Sequence, residues 1–136
     1  MSEWQSVERS AAHLKSDQRA DILGMLDRGE IHSSRYIPGG TLGFTSPLNG
    51  NIHLNPKSNL GSAFSLDPQV LAFLLAHERG HSVMQQQSLG TVYFGIIAGA
   101  DLLMNRGRTV GLDRAANQYA CTAIAVPTNF ATCQRR

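Results

Sequence analysis

The pentapeptide His77-Glu78-Arg79-Gly80-His81 holds the residues of this chain that are best suited to metal chemistry. On a helix, residues four positions apart lie on the same face, so His77 and His81 can place two imidazole nitrogens on one metal ion. Glu78 is rotated from His77 by about 100°, which places it beside the metal rather than on it. A general base for a water on the metal belongs at that position, and this HExxH spacing therefore predicts a zinc site with Glu78 as the base.

The residues around this motif predict one long helix. Asp67 is suited to the N-cap and Pro68 to the first helical position, and helix-forming residues continue through Gln87. Leu89-Gly90 is expected to stop the helix. Apolar residues and both histidines recur at spacings of three and four, which puts the ligand face on the buried side of the helix: Val70, Leu74, His77, His81 and Met84.

The third zinc ligand must come from elsewhere, because a catalytic zinc usually takes three protein ligands. After His81 the sequence has no histidine and no glutamate, and its acidic residues there are Asp101 and Asp113. We favour Asp113, which begins a later helix after a glycine-containing loop. An acid at that position is also what the helix dipole favours without any metal. The alternatives left open are Asp101, His53, His32 and Cys121.

The layout resembles that of the zincin metallopeptidases and is most similar to their gluzincin branch. In that branch a later helix carries Glu-x-x-x-Asp, in which the Glu is the third ligand and the Asp orients a ligand histidine. This chain has Asp113-Arg114-Ala115-Ala116-Asn117 there, so Asn117 could orient an imidazole only as a neutral acceptor. The stretch HERGHSVMQQQSLGTVYF also resembles small HExxH domains of bacterial secreted and polymorphic-toxin proteins. The resemblance covers roughly residues 41–125, and only the HExxH motif in it is specific.

This resemblance implies a zinc-dependent endopeptidase acting on a peptide or protein substrate, as a secreted effector or toxin domain with an inhibitor or immunity protein as a further partner. It also implies that an edge strand before the metal helix binds extended peptide, for which residues 51–55 are the candidate. The second donor to the oxyanion is not ranked by the sequence, and the candidates are Tyr93, Tyr119, Arg114 and His53. Two other functions stay open: a zinc-stabilised binding domain without catalysis, and a zinc amidase acting on peptidoglycan.

The elements predicted around the motif make an α+β domain that spans residues 1–136. Apolar stripes predict N-terminal helices at residues 3–14 and 17–28, and C-terminal helices at 91–104 and 112–126. Between them, residues 31–37 have β character. Two short alternating runs, 41–45 and 51–55, flank Asn49-Gly50, which predicts a hairpin and a short antiparallel sheet.

Composition and charge limit the classes of partner that the chain is expected to bind. Twelve Lys and Arg residues against ten Asp and Glu give a net charge of +2, without a basic stripe that has interleaved aromatics, so no nucleic acid is expected. The apolar stretch 89–104 is too short to span a bilayer and contains Asp101. No signal peptide is expected at the N-terminus, and the compartment is left open.

Cys121 and Cys133 lie near the end of the chain. A disulfide between them would suit an oxidising compartment, and two free thiols are an equally good interpretation.

Overall fold

The computed structural model describes residues 2–35, 37, 41–87 and 111–134. In these residues the chain forms four α-helices and a three-stranded sheet, which confirms the predicted α+β class. None of the described helices is long and apolar enough to cross a membrane.

The two N-terminal helices form as predicted, with α1 spanning Glu3–Ala11 and α2 spanning Ser16–Asp27. Ser2 caps α1 by accepting from the backbone N–H of Gln5, whose side chain accepts in return from the Ser2 N–H, so two otherwise unpaired donors are satisfied. α1 is shorter than predicted because the chain turns after Ala11, and Leu14 instead forms an isolated β-bridge with Ile124.

The sheet is mixed rather than wholly antiparallel, which corrects the predicted topology. Its strands are β1 (Ile31–Ser33), β2 (Gly43–Thr45) and β3 (Ile52–Leu54), in the order β1-β3-β2. The predicted hairpin is present, since β2 and β3 are antiparallel with Phe44 opposite His53. β1 adds to the other side of β3 in parallel, with His32 opposite His53.

The position of β3 also corrects the predicted substrate strand. Residues 51–55 were expected to form an edge strand, but β3 is the central strand of the described sheet, with β1 on one side and β2 on the other. Its backbone groups are therefore used within the sheet. The edge strands of the described sheet are β1 and β2.

The long central helix α3 spans Pro68–Gln87 and starts where the sequence predicts. The side chain of Asp67 accepts from the backbone N–H of Gln69 at 2.9 Å, which is the expected N-cap contact. Neighbouring residues on every side of the helix are buried, so α3 is the core of the domain rather than a helix with one apolar stripe: Leu71, Ala72, Phe73, Leu74, Leu75 and Ala76.

The last described helix, α4 (Gly111–Ala123), packs closely against α3 at Gly80. A Cβ atom at position 80 would lie 3.1 Å from the Cα of Ala116 and 3.1 Å from the Cβ of Tyr119. A glycine in the middle of a helix is unfavourable by about 1 kcal/mol relative to alanine, and here it gives the backbone of α4 room to approach. The predicted helix at 91–104 lies outside the described residues.

The C-terminal segment folds back over α3 and α4. It contains two 3-10 turns, Pro127–Asn129 and Ala131–Cys133, and a disulfide joins Cys133 to Cys121 of α4. The Phe130 ring packs on that of Phe73 in α3, with ring centroids 4.5 Å apart. Of the two predicted states of the cysteine pair, the structure thus contains the disulfide.

Replacing both cysteines by serine is expected to lower the free energy of unfolding by about 2–3 kcal/mol, because the crosslink restricts the unfolded chain over a short loop. Urea denaturation of the double variant against the oxidised wild type measures the loss. Wild type treated with reductant is the control and should unfold like the variant. Two titratable thiols in denatured, non-reduced protein from an oxidising compartment would contradict the disulfide.

Candidate metal centre

The middle of α3 carries both histidines of the HExxH motif and the glutamate between them. His77 and Glu78 have no exposed surface, and His81 is 1% exposed. The imidazole rings of His77 and His81 lie edge to face, with their centroids 4.8 Å apart. The helical spacing therefore brings the two rings together as predicted, in the interior of the domain.

Asn117 of α4 fixes the orientation of the His77 ring. The His77 Nδ1 lies 2.7 Å from the Asn117 Oδ1, and Asn117 is itself buried. An amide oxygen only accepts, so Nδ1 carries the proton and the lone pair of the ring is on Nε2. A hydrogen bond of this kind selects the ring nitrogen of a histidine that is used for a metal. The neutral-acceptor role proposed for Asn117 thus has a matching contact.

Strand β2 supplies the environment of Glu78. The hydroxyl of Thr45 lies 2.7 Å from the Glu78 Oε1 and 2.8 Å from the Glu78 backbone oxygen. Gly43, two residues earlier and on the same face of β2, lies against the same carboxylate. Neither residue is predicted from the sequence as part of the site. The sequence around Gly43 and Thr45 shows only the alternation of a strand, with a period of two residues. That alternation places both residues on one face of β2, but it does not predict which helix packs on that face.

The predicted third ligand, Asp113, lies in the first turn of α4, one helical turn before Asn117. Its side chain is outside the described part of the structure, and Asp101 lies outside it altogether. Within the described part, no three or more His, Cys, Asp or Glu side chains come together as a metal-binding group. The assignment of Asp113 therefore stays a prediction.

Two of the alternative ligands, His53 and His32, lie on the far side of the sheet from the motif, and a third, Cys121, is already bonded. His53 and His32 are stacked with ring centroids 4.8 Å apart, and His53 alternates along β3 with Ile52, the partner of Thr45. They therefore lie on the face of the sheet opposite to that in contact with Glu78. Burial lowers the pKa of His53 below its usual value, and the nearby His32 has a smaller effect in the same direction. Cys121 is held in the disulfide.

Two of the candidate oxyanion donors, Tyr119 and His53, make contacts away from the motif. The Tyr119 hydroxyl donates to the Gln18 Oε1 at 3.0 Å, and burial, with a smaller effect of Asp21, raises the pKa of Tyr119. Asp21 also pairs with Arg79 of α3, at 2.7 Å. These contacts join α2, α3 and α4 and give Tyr119 a place in the packing of the helices. His53 is on the far side of the sheet, and Tyr93 and the Arg114 side chain are outside the described residues.

The described donors at the centre of α3 fit a zinc ion. Two imidazoles one turn apart are the ligands that HExxH sites use, and the tautomer of His77 leaves Nε2 as a ligand atom. Glu78 is adjacent and is held by a hydroxyl. His77, His81 and a third side chain would hold the ion, while Glu78 would stay beside it.

Comparison with protein-family models, with curated proteins and with solved structures finds no match.

We expect purified wild type to hold about one zinc ion per chain and His77→Ala to hold almost none, since two histidines one turn apart share the ion. Asp113→Ala should weaken zinc binding by at least about 10–100-fold. Elemental analysis and competition with a chromophoric chelator measure both. His53→Ala, on the other face of the sheet, is the control and should keep its zinc. An unchanged metal content in His77→Ala would rule out the site, and a loss in Asp101→Ala instead of Asp113→Ala would move the third ligand.

Asn117→Ala is expected to weaken zinc binding by about tenfold, less than the loss in Asp113→Ala, because the His77 ring loses its orienting acceptor but keeps its lone pair. Asn117→Asp retains an acceptor and should bind zinc nearly as wild type does. The exposed neighbour Gln118 provides the control, Gln118→Ala. Equal zinc affinity in Asn117→Ala and Gln118→Ala would show that the contact does not serve the metal.

Proposed function

We propose that this chain is a zinc-dependent metalloendopeptidase that hydrolyses peptide bonds with Glu78 as its general base. The observation that carries the proposal is the buried His77–Glu78–His81 group, in which Asn117 holds the Nδ1 of His77 at 2.7 Å. A hydrogen bond at Nδ1 of a buried histidine directs the lone pair of its Nε2 toward a metal, and side chains that orient ligand histidines in this way are usual at metal sites.

Zinc, when bound, would polarise the scissile carbonyl and make water a better nucleophile near neutral pH. The residues of the chain carry out the rest. His77 and His81 hold the ion, and Glu78 takes the proton of the attacking water and passes it to the leaving amine. Thr45 keeps the Glu78 carboxylate in place through its hydroxyl. Both residues are fully buried, and electrostatic interactions are stronger where water is excluded.

Strand β2 lies at an edge of the described sheet and contacts Glu78 through Thr45. It does not replace residues 51–55 as the substrate strand, because Gly43 is buried and Thr45 has no exposed surface, so their backbone groups are not accessible for pairing with a peptide. β3 itself has partners on both sides.

One observation favours the non-catalytic alternative, a zinc-stabilised binding domain. His77, Glu78 and His81 are each at most 1% exposed, whereas an open zinc site needs room for water and substrate. The peptidoglycan amidase uses the same chemistry on another amide, so substrate profiling separates it from the endopeptidase. A secreted toxin domain with an immunity partner is compatible with the disulfide, which forms in oxidising compartments.

Glu78→Gln should keep the fold and the zinc yet lower turnover by several orders of magnitude, since an amide cannot accept the proton of the water. Mass spectrometry of a peptide library, a protein panel and peptidoglycan fragments measures turnover, with Glu8→Gln on the exposed face of α1 as the control. Activity should disappear with a chelator and return with zinc. Zinc-loaded wild type that cleaves none of these substrates would favour the binding domain, and full activity in Glu78→Gln would refute the mechanism.

A further inference from the structure

Two residues of β2 point at the Glu78 carboxylate from the same face of the strand. Gly43 and Thr45 are both buried and are separated by the partly exposed Phe44, as the alternation of a strand requires. No other described strand lies between β2 and α3. The contact is thus made by two alternate positions of one edge strand.

The single hydroxyl proton of Thr45 is shared between two acceptors of Glu78. This hydroxyl is within hydrogen-bonding distance of the side-chain Oε1, at 2.7 Å, and of the backbone oxygen of the same residue, at 2.8 Å. Because Thr45 has no exposed surface, bulk water does not compete for these contacts. A β-branched side chain has few χ1 rotamers, so the hydroxyl is itself held in place.

Gly43 provides the space that the carboxylate fills. A Cβ atom at position 43 would lie 3.1 Å from the Glu78 Oε2, 3.4 Å from its Cγ and 3.2 Å from the Cδ1 of Leu74. The φ angle of Gly43 is not among the positive values of the described glycines. The glycine is therefore required for room and not for an unusual backbone conformation.

The backbone groups of the same two residues are directed away from β3. In the ladder with β3, Asn55 donates to the Leu42 oxygen at 2.9 Å and Ser46 donates to the Asn51 oxygen at 2.8 Å. Hydrogen-bonded positions alternate along an antiparallel pair, so Gly43 and Thr45 occupy the intervening positions and their N–H and C=O groups point away from β3. The side chain of Thr45 therefore contacts Glu78, while its backbone groups lie on the side of β2 away from β3, where they are covered because Thr45 has no exposed surface.

We propose that Thr45 is a positioning residue for the general base Glu78. Gly43, which has no side chain, leaves the space that the Glu78 carboxylate occupies. The proposal rests on the proposed peptidase function. The hydroxyl of Thr45 sets the position of the Glu78 carboxylate, and because Thr45 has no exposed surface, the residue does not itself contact the substrate. Removal of the hydroxyl should therefore affect the chemical step and leave substrate binding unchanged.

The first test is a pair of substitutions that differ by the hydroxyl. Thr45→Val keeps the shape and the backbone, and it should lower kcat by about 10–100-fold with KM within about twofold, as expected for a lost hydrogen bond to a charged group. Thr45→Ser restores the hydroxyl and should recover kcat to within about threefold. Zinc content should stay at the wild-type level in both, and Thr122→Val on the exposed side of α4 is the control.

The second test needs neither metal nor turnover. Melting temperatures are measured in chelator for wild type, Thr45→Val, Glu78→Ala and the double variant. Side chains that interact give a combined loss smaller than the sum of the single losses, and side chains that do not interact give additive losses. We expect a combined loss smaller than the sum. Gly43→Ala should lower kcat as well, and if it does not fold, the valine and serine variants at position 45 still decide.

The outcomes distinguish this inference from the proposed function. Active wild type with an unchanged kcat in Thr45→Val, or with KM raised as much as kcat falls, overturns the positioning role and leaves the peptidase intact. Additive melting losses overturn the contact between Thr45 and Glu78. Zinc-loaded wild type without any hydrolytic activity overturns the proposed function and with it the positioning role, even where the melting losses are not additive.

Discussion

The structure depends on one constraint, which is that a helix with two imidazoles and a carboxylate runs through the core of a small domain. Burial of polar or charged side chains is expensive unless neighbouring groups form hydrogen bonds to them. α3 cannot turn these side chains to solvent, because residues on every side of it are buried. The elements around α3 must therefore supply polar partners as well as apolar contacts, and Asn117 of α4 and Thr45 of β2 do so.

Both α4 and β2 approach α3 at a glycine. In the contact with α4 the glycine belongs to α3, and in the contact with β2 it belongs to the strand. On the α4 side the glycine is Gly80 of α3 itself, which lets the backbone around Ala116 come close. On the sheet side it is Gly43 of β2, which leaves room for the Glu78 carboxylate. A Cβ atom at position 80 would require the α4 backbone to shift by a few tenths of an ångström, and a Cβ atom at position 43 would require the same of the Glu78 and Leu74 side chains. Hydrogen bonds of 2.7 Å tolerate little displacement.

The local part of this arrangement could be predicted from sequence. The start of α3 follows from Asp67 and Pro68, and the hairpin follows from the alternating runs around Asn49-Gly50, since these signals act over a few residues. The pairing of β1 with β3 could not be predicted, because parallel pairing joins distant segments and leaves no mark in a three-residue strand. It placed β3 in the centre of the sheet. Thr45 was missed for a similar reason, since its role depends on which face of β2 meets α3.

The burial of β2 limits what pairing at its edge can contribute to substrate binding. The backbone groups of Gly43 and Thr45 point away from β3, but Gly43 is buried and Thr45 has no exposed surface. The oxygen of Gly43 also accepts from the Thr41 hydroxyl at 2.9 Å. Even with these groups uncovered, each hydrogen bond would contribute a net of about 0.5–1.5 kcal/mol, so pairing would supply at most a few kcal/mol, whereas an affinity in the micromolar range requires about 8 kcal/mol. The affinity and selectivity for a peptide substrate would therefore have to come from contacts outside β2.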